Sequence, residues 1–552
     1  MTYLDNIFYL IPEIFLSLSI VFLLGYGAIC TKWGNLKEQG DKLRHDGFIP
    51  RPCSTARRAG RGDFGCGGKA RLVSELKNIT YLSILAIFIT IWLVGLTKSA
   101  PRSLTDLVQD DKFSIDIGNG ILGIDNYSII IKSICLLTGA LILLMSLSIY
   151  EKKDEKLIDY EYSQLILMSI LGMLLLISSR DLILMYLSIE TLSLSLYVLA
   201  AIRRSGQYST EAGLKYFILG ALSSGLLLFG SSLIYIITGL TEFESISNYI
   251  WLSETSEIGL SLGAAFIIMA LLFKLAAAPF HMWAPDVYEG ASTIVTAFFA
   301  IVPKIAVLSL LITLIYGPFL GIFENLIQPI IIISGLMSIL VGSIAAINQT
   351  KIKRLLAYSA IAHMGWILIG LGVGTLMSIQ ATLIYIVLYI LMSINSFAFV
   401  ISYFKGYGNN YITQLSGLSR KEPILAITFS LCLLSIAGIP PLAGFYSKYN
   451  ILLALIDEKF IITSILGIVL SVIGSFYYIR IIQWMYFNNS SDYIIKDLGD
   501  IVYKQTDTGV NSTIGLNQSL ILGSSLFFIL TYLIYPNPLV ILTFDGISNL
   551  IY

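Results

Sequence analysis

The chain has 552 residues and equal numbers of basic and acidic side chains, 35 of each, so its formal net charge is zero. Hydrophobic residues make up 56% of it, charged residues only 13%, and its mean hydropathy is +0.81. This composition excludes a soluble globular protein and predicts one embedded in a membrane. The five cysteines form no Cys-x-x-Cys or Cys/His spacing, so we predict neither a metal site nor a disulfide framework.

Apolar stretches long enough to cross a bilayer recur along the whole chain. A spanning helix needs about 20 such residues, and this criterion predicts an all-α polytopic membrane protein with about fourteen spans. We place them near residues 7–30, 79–97, 127–149, 163–178, 181–202, 213–238, 258–280, 292–317, 324–347, 355–374, 380–404, 424–454, 461–487 and 518–543. The first stretch is too long for a signal-peptide core and follows no basic region, so we expect no cleaved leader.

Basic residues are distributed unequally between the predicted loops. Loops that follow odd-numbered spans contain 24 Lys or Arg residues, and loops that follow even-numbered spans contain 5. Short loops rich in Lys and Arg stay on the cytoplasmic side of a membrane or its equivalent. We therefore predict that the odd loops lie on that side and that both termini lie on the opposite one.

Residues 31–77 differ in composition from the rest of the chain. They include RPCSTARRAGRGDFGCGGKAR, which is rich in Arg and Gly and poor in aliphatic residues, so this segment cannot bury a core of its own. We predict a basic surface loop, and a tolerated insertion is its simplest interpretation. Binding to anionic lipid headgroups or to nucleic acid is the alternative.

Glu190, Lys274, Lys304 and Lys448 each lie inside a long apolar run of a predicted span. A charged side chain at the centre of a spanning helix costs about 2.5–3.5 kcal/mol on insertion scales, and such residues usually line ion or proton paths. Lys274 is close enough to the end of its span to reach the interface, which is the alternative for that residue. We predict a proton route, in which Glu190 and Lys274 are a natural pair because each offsets the other's desolvation.

Prolines accompany the three lysines and predict helix breaks, which we place at Pro279, Pro303, Pro440 and Pro441. Each proline lacks an N–H donor and clashes with the carbonyl four residues earlier. The carbonyls of Ile436 and Ala437 therefore need new partners. In a bilayer, such breaks are tolerated only within protein or beside a wet cavity, and paired broken helices mark the working site of many transporters.

The segment LLAYSAIAHMGW supplies weaker candidates for the same route. His363 is able to relay protons near neutral pH, although a buried, hydrogen-bonded histidine is nearly as plausible an interpretation. Tyr358 and Ser359 are candidates to hydrate the region around it.

Four further charges lie at predicted span ends. Glu211 and Lys215 are four residues apart, and we weigh a proton-path role equally against an ordinary helix ion pair. Asp286 and Glu289, in HMWAPDVYEG, are predicted to lie in a loop as caps or subunit contacts.

The longer motifs around these residues resemble a known family. They read FKLAAAPFHMWAPDVYEG, STEAGLKYFILGALSSGLLLFG, KIKRLLAYSAIAHMGW, LAITFSLCLLSIAGIPPLAGFYSK and GSFYYIRI. They resemble the antiporter-like membrane subunits of respiratory complex I, from about Tyr127 to Arg480. The resemblance implies fourteen helices, two inverted five-helix repeats, and broken helices 7 and 12. It divides the chain into 1–126 with the basic insert, 127–317 with the first repeat, 318–487 with the second, and 488–552.

The resemblance also implies roles for individual residues. Glu190 matches the family's glutamate of the fifth helix, and Lys274 the lysine of the broken seventh helix. Lys304 matches the connecting lysine of the eighth helix, His363 the histidine of the tenth, and Lys448 the lysine of the broken twelfth. In the family these residues form a hydrated path along the membrane midplane.

The function implied is that of a proton-translocating membrane subunit of complex I, driven by quinone reduction elsewhere in the complex. We expect this chain to bind no cofactor, with NADH, FMN, iron–sulfur clusters and ubiquinone held by partner subunits. Its expected partners are other membrane-arm and peripheral-arm subunits and bilayer lipids, not nucleic acid. We expect an organelle-encoded chain of the mitochondrial inner membrane, or alternatively a bacterial plasma-membrane protein. The competing functions are a subunit of a multisubunit cation/proton antiporter and a passive assembly scaffold.

Overall fold

The structure, a computed structural model, describes residues 9–45, 66–98, 114–118, 120–147, 160–203, 206–252, 258–404, 410–488 and 515–547. Within these ranges the chain is almost entirely helical. The α-helices, in chain order, are α1 (Ile11–His45), α2 (Cys66–Lys98), α3 (Asn126–Ser146), α4 (Glu161–Ser178), α5 (Leu182–Ala200), α6 (Gln207–Thr238), α7 (Phe243–Leu252), α8 (Ile258–Lys274), α9 (Trp283–Gly290), α10 (Thr293–Tyr316), α11 (Gln328–Ile347), α12 (Ile352–Val373), α13 (Leu376–Tyr403), α14 (Leu418–Lys421), α15 (Pro423–Ala437), α16 (Ala443–Asp457), α17 (Ile461–Tyr486), α18 (Leu516–Thr531) and α19 (Asn537–Ile547).

Short irregular elements complete the described chain. A 3-10 turn at Leu320–Ile322 and a π turn at Phe323–Ile327 lead into α11, and a second 3-10 turn covers Ile412–Leu415. Strands β1 (Ser114–Ile117) and β2 (Leu122–Asp125) form an antiparallel hairpin before α3.

Eleven helical segments within the described ranges are long and apolar enough to cross a membrane. They are Ile11–Ala28, Leu76–Thr97, Asn126–Ser146, Glu161–Ser178, Leu182–Ala200, Gln207–Thr238, Thr293–Tyr316, Leu320–Ile347, Ile352–Val373, Leu376–Tyr403 and Ile461–Tyr486. Helices α8, α15, α18 and α19 are apolar but shorter. The predicted class, a helical polytopic membrane protein, is therefore confirmed.

The predicted loop over residues 31–77 is wrong at both of its ends. Helix α1 continues to His45 and α2 already begins at Cys66, while residues 46–65 lie outside the described ranges. Residues 35–44 are mostly Leu, Lys, Glu, Gln and Arg, which are good helix formers. A helix that has already formed adds such residues at little cost, because its nucleus exists.

Helix α10 lies in the centre of the bundle. Every residue from Ile294 to Tyr316 is buried, and the helix packs against α3, α4, α5 and α13. Its apolar faces alone would suit lipid as well as protein, but the charge of Lys304 disfavours lipid, which fits this position. Lys304 is thereby placed at the core of the molecule.

Glycines allow two helix pairs to approach closely. A Cβ added to Gly230 of α6 would lie 2.7 Å from the Gly263 carbonyl oxygen of α8. A Cβ added to Gly365 of α12 would lie 2.6 Å from the Gly335 carbonyl oxygen of α11. Small residues let helices pack backbone to backbone in membranes, where water does not drive association. The second contact holds α12, which carries His363, against its neighbour.

The structure interrupts two helices near predicted prolines and leaves a third continuous. Helix α8 ends at Lys274, five residues before Pro279, and α15 ends at Ala437, before Pro440 and Pro441. The predicted break at Pro303 is wrong, because α10 runs unbroken through it.

Packing explains why Pro303 does not end α10. The proline cannot donate to the Phe299 carbonyl, four residues earlier. The Tyr288 hydroxyl donates to that carbonyl instead, at 3.3 Å. Because the freed acceptor is bonded within a fully buried environment, the helix continues.

The loops pair as alternating spans require. The Ile352 amide donates to the Asn410 carbonyl at 2.9 Å, which joins the loops that follow the predicted ninth and eleventh spans. Asp181 bridges Glu242 in antiparallel fashion, which joins the loops that follow the fourth and sixth. Odd loops thus meet odd loops, and even loops meet even loops.

Candidate functional site

The first charged cluster lies between α5 and α8. Glu190 and Lys274 are both half-buried, and their charged groups do not approach within the 4 Å of an ion pair. Instead, Lys274 Nζ donates to the Tyr197 hydroxyl at 3.3 Å and lies 5.6 Å from the centre of its ring. The Ser193 hydroxyl donates to the Glu190 backbone carbonyl at 3.1 Å and lies 3.4 Å from Oε2 of its carboxylate.

The interruption after Lys274 has its own hydrogen-bond partners. The Trp283 indole N–H donates to the Phe273 carbonyl at 2.9 Å. The Ala278 amide donates to the Ser338 hydroxyl of α11 at 2.7 Å. These side chains bond backbone groups on both sides of the interruption, whereas the Lys274 ammonium group is directed to Tyr197.

Lys304 lies in the middle of α10 and is 4% exposed. Among the described residues, its Nζ has no hydrogen-bond partner. It lies 5.6 Å from the centre of the Tyr389 ring, a distance at which a cation interacts with an aromatic face. The Tyr389 hydroxyl is turned to the Ala300 carbonyl, to which it donates at 3.2 Å.

His363 lies on α12 and contacts the same aromatic group. It is 4% exposed, and its Nδ1 lies 2.8 Å from the Tyr385 hydroxyl. Its ring centre lies 5.5 Å from that of Tyr389, which connects it to the surroundings of Lys304. Tyr385 and Tyr389 are one turn apart on α13 and therefore face the same side.

Lys448 lies on α16, after the interruption that follows α15. Its Nζ donates to the Ala437 carbonyl at 2.8 Å and to the Ile436 carbonyl at 3.3 Å. These are the two carbonyls that the prolines at 440 and 441 leave free. The partner that the broken helix requires is therefore the lysine itself.

A cavity of about 20 Å³ lies between His363 and Lys448. Its lining also includes Tyr477 and Tyr478 of α17, together with Ser343. A cavity of this size has room for about one water molecule, and His363, Lys448 and the two tyrosines supply polar groups at its wall. The space therefore suits a single bridging water between the histidine and the lysine.

A family model described as NADH:quinone oxidoreductase/Mrp antiporter, TM, matches residues 179–474, more than half of the chain. The chain belongs to this NADH:quinone oxidoreductase/Mrp antiporter family. The matched range contains both interrupted helices. It also contains the five predicted path residues, Glu190, Lys274, Lys304, His363 and Lys448.

Two relatives are similar to this chain over most of its length. NADH-ubiquinone oxidoreductase chain 2 of Marchantia polymorpha is 41% identical over 473 residues, covering 85% of this chain and 90% of that protein. NADH-quinone oxidoreductase subunit N of Pelagibacter ubique is 38% identical over 542 residues, covering 97% and 98%.

Solved structures agree on the fold of the family. A chain of respiratory complex I from Thermus thermophilus superposes with a TM-score of 0.65 at 25% identity, covering 86% of this chain and 97% of that one. A chain of the Mrp complex from Dietzia sp. superposes with a TM-score of 0.75 at 18% identity, covering 100% and 98%, which shows a shared fold.

The two weaker candidates on α12, Tyr358 and Ser359, lie in different surroundings. Tyr358 follows Arg354 by four residues, within the first two turns of the helix. Ser359 donates to the Leu356 carbonyl at 3.2 Å and contacts Tyr478, a residue of the cavity lining. Ser359 therefore lies near His363 and Lys448, whereas Tyr358 belongs to the helix end.

The four charges at span ends belong to an ion-pair network on one end of the bundle. Its members are Glu211, Lys215, Asp286, Glu289, Lys351 and Arg354. Lys215 contacts Glu211 at 2.8 Å and Asp286 at 2.9 Å. Arg354 contacts Glu289 at 3.2 Å and Asp286 at 3.5 Å. Asp286 and Glu289 lie in α9 rather than in a loop, and they bind residues of this chain.

Lys351, between two spans, completes this network. It pairs with Glu289, and this hydrogen bond raises the pKa of its ammonium group above the ordinary value. Each basic group of the network has a carboxylate partner, unlike Lys274, Lys304 and Lys448. The network thus joins α6 and α9 to the start of α12 by opposite charges.

Sequence reasoning missed the tyrosines. Tyr197, Tyr385 and Tyr389 are not among the site residues predicted from the sequence, yet they are buried next to the charges. A signal was present: Tyr197 follows Glu190 by seven residues, which is two helical turns on one face. No group of three His, Cys, Asp or Glu residues able to hold a metal is found in the part of the chain that the structure describes.

Proposed function

We propose that this chain is a proton-translocating membrane subunit of respiratory NADH:quinone oxidoreductase, and that five of its residues carry the protons. These are Glu190, Lys274, Lys304, His363 and Lys448. Family membership and relatives named NADH-quinone oxidoreductase subunit N support the function. The chain acts within an enzyme whose redox chemistry belongs to other subunits.

The observation that carries the assignment of residues is the nature of the lysines' contacts. Lys274 contacts a phenol, Lys304 an aromatic ring, and Lys448 two backbone carbonyls. All of these partners are neutral, so no ion pair within 4 Å holds any of the three lysines in its charged form. Burial disfavours a charged lysine and a nearby carboxylate favours it, so small changes in the surroundings alter its proton occupancy.

The contacts suggest an order for the path. Glu190 and Lys274 form the uptake cluster, and Lys304 connects it to the Tyr389 and His363 side of the bundle. The cavity then leads to Lys448 near the exit. Moving one proton outwards across 100 mV requires about 2.3 kcal/mol, which changes in these contacts must supply during quinone reduction.

The finer architecture belongs to the same proposal. Eleven candidate spans, the interrupted helix α8, the pair α15 and α16, and helix α18 together make fourteen membrane helices. Two inverted repeats of five helices occupy the fourth to eighth and the ninth to thirteenth of these. The four divisions at 1–126, 127–317, 318–487 and 488–552 follow from that arrangement.

Partners and location follow from the function. The chain packs in a bilayer against other membrane-arm subunits, while NADH, FMN, iron–sulfur clusters and ubiquinone are bound elsewhere in the complex. Its relatives include chain 2 proteins of plants and subunit N proteins of bacteria, which fits the mitochondrial inner membrane and, alternatively, a bacterial plasma membrane. Likeness to the Mrp complex concerns the fold alone. Co-purification with antiporter subunits only, without NADH dehydrogenase partners, would favour the antiporter function.

Substitution of the intramembrane charges tests the proposal. In an assembled complex, Lys274→Ala or Glu190→Ala should impair quinone-linked turnover and proton pumping, while NADH oxidation with artificial acceptors continues in the peripheral arm. Lys304→Arg should not restore full function, because arginine stays protonated. Exposed Lys421 gives the control, since Lys421→Ala removes a charge outside the path. Wild-type pumping by the Lys274→Ala complex would instead support a passive scaffold.

A further inference from the structure

A pair of buried opposite charges lies outside the proposed proton path. Lys132 Nζ of α3 donates to Glu13 Oε1 of α1 at 2.6 Å. The two side chains are 4% and 7% exposed, and both residues belong to segments that are able to span a membrane. Lys132 therefore has a carboxylate partner at ion-pair distance, in contrast to the neutral partners of Lys274, Lys304 and Lys448.

Apolar side chains separate this pair from the central helix. Ile130, Ile131 and Ile134 of α3 line a cavity together with Ile305 of α10, the neighbour of Lys304. Lys132 is directed to another side of α3, where it bonds α1. The isoleucines carry no group that a proton is able to bind. The pair thus needs a role other than proton transfer to Lys304.

Apolar packing does little to specify the position of α1. Leu18, Val21 and Phe22 are exposed, so a broad side of this helix faces away from the rest of the chain. Lipid tails are as apolar as these side chains, so apolar contacts favour no particular height or rotation of a membrane helix. Polar contacts are therefore the ones that specify where α1 docks.

Polar contacts hold α1 at two levels. The Glu13–Lys132 pair lies in its first turn. Further along, Gln164 of α4, which is 4% exposed, donates from Nε2 to the Leu23 carbonyl at 2.8 Å. Residues 13 and 23 are about 15 Å apart along a helix, at 1.5 Å per residue. Two contacts separated by this distance fix both the height and the rotation of α1.

The ion pair discriminates between docked positions more strongly than an apolar contact does. A shift of α1 by one turn moves Glu13 by about 5.4 Å, which is enough to break the pair. Both charges would then be buried without partners, an arrangement that is strongly unfavourable. An apolar side chain that makes the same shift exchanges protein contacts for lipid contacts at little cost.

We propose that Glu13 and Lys132 form a register key, an ion pair that selects the one height and rotation at which α1 docks on the bundle. The key is a positioning device and takes no part in proton transfer. The inference does not depend on the proposed function, because it concerns contacts that join the N-terminal helix to the rest of the chain.

Neutral and exchanged side chains test the pair. Glu13→Gln alone leaves a buried ammonium group and Lys132→Met alone a buried carboxylate, so each should lower the amount of subunit in the assembled complex roughly tenfold or more. Combining Glu13→Lys with Lys132→Glu restores opposite charges and should recover most of that loss. Exposed Glu244 and Lys421 give the controls Glu244→Gln and Lys421→Met, which should assemble like wild type. Normal assembly of both single variants would overturn the key.

The doubly neutral variant, Glu13→Gln with Lys132→Met, separates register from stability. It leaves neither charge buried, so it should assemble, but α1 has lost one of its two polar contacts. A photoreactive phenylalanine analogue in place of Tyr160 reports the height of α1, because a Cβ added to Gly27 would overlap the Tyr160 ring. With the ion pair intact, cross-links should form at Gly27 and its neighbours. In the doubly neutral variant they should extend to the adjacent turns, and an unchanged pattern would overturn the key.

Proton pumping keeps this inference distinct from the proposed function. Pumping per assembled complex should stay near wild type when the charges at 13 and 132 are exchanged, and it should be lost in Lys274→Ala. If the exchanged variant assembles but does not pump, the pair takes part in proton transfer and the key is wrong. If Lys274→Ala pumps like wild type, the proposed path is wrong and the key is unaffected.

Discussion

The two interrupted helices hold their lysines in opposite ways. Lys274 ends its half-helix, and two backbone groups beside the break, the Phe273 carbonyl and the Ala278 amide, bond Trp283 and Ser338. Lys448 follows its interruption and turns back to bond the freed carbonyls of Ile436 and Ala437 directly. The first lysine is thus free to respond to neighbouring side chains, whereas the second also closes the break in its own helix.

This difference separates proton chemistry from structural support. An unpaired buried carbonyl costs about 1–3 kcal/mol, so a group that bonds two of them contributes to stability as well as to function. At the first break, backbone groups are bonded by Trp283 and Ser338, and neither of these side chains titrates. The comparison predicts that equivalent substitutions of the two lysines have unequal effects on stability.

The largest expected effect is that of Lys448→Met. Coupled turnover should be lost, and the subunit should also become less stable, because two carbonyls lose their donor at about 1–3 kcal/mol each. Lys274→Met should lose turnover with little change in stability. The measurement is the temperature at which the subunit leaves the solubilised complex on native gels. Lys448→Arg keeps a donor, so it should recover stability without turnover; equal stability losses at 274 and 448 would contradict the comparison.

Gly438→Ala probes the turn that lets Lys448 reach back. Gly438 has φ of +87°, and an added Cβ would lie 3.0 Å from the Lys448 side chain. An alanine in this left-handed conformation costs about 1–2 kcal/mol. We expect that loss of stability, together with slower coupled turnover. Gly523→Ala is the control, since no atom would lie within 4 Å of its added Cβ; an equal loss there would remove the turn from consideration.

Tyr288→Phe tests why the third proline leaves its helix intact. Without the hydroxyl, the Phe299 carbonyl has no donor, and the net loss should be about 1 kcal/mol. Pro303→Ala restores a backbone N–H four residues after Phe299, so the same tyrosine substitution should cost less in that background. A double-mutant cycle on subunit stability measures the difference. Additive effects would show that the hydroxyl does not replace the missing donor.

The smallest effect concerns the ion-pair network outside the spans. Glu289 raises the pKa of Lys351, so the charged pair stabilises the fold at pH values below the ordinary lysine pKa of 10.5. That contribution is lost as the pH rises through the raised value. Glu289→Gln should therefore lower stability at neutral pH. In strong alkali the stability of the variant should approach that of wild type, except for the contribution of the Glu289–Arg354 pair, because arginine stays charged there. Glu211→Gln, at a side chain 59% exposed, should change stability by less than about 0.5 kcal/mol.

The sequence by itself determined the membrane class, the alternation of the loops and the positions of the buried charges. It also determined that the carbonyls at 436 and 437 need partners, because a missing proline donor and the cost of charge in lipid are properties of a short stretch of chain. The family motifs extended this to the roles expected of five residues.

Only the tertiary structure decided which groups meet. Lys448 bonds the carbonyls of its own break, Lys274 bonds the Tyr197 hydroxyl, and a tyrosine from α9 keeps α10 intact across Pro303. The extension of α1 beyond residue 30 was likewise not evident from hydropathy. Such contacts depend on which faces of distant helices pack together, and the apolar sequence of a buried helix is much the same on every face.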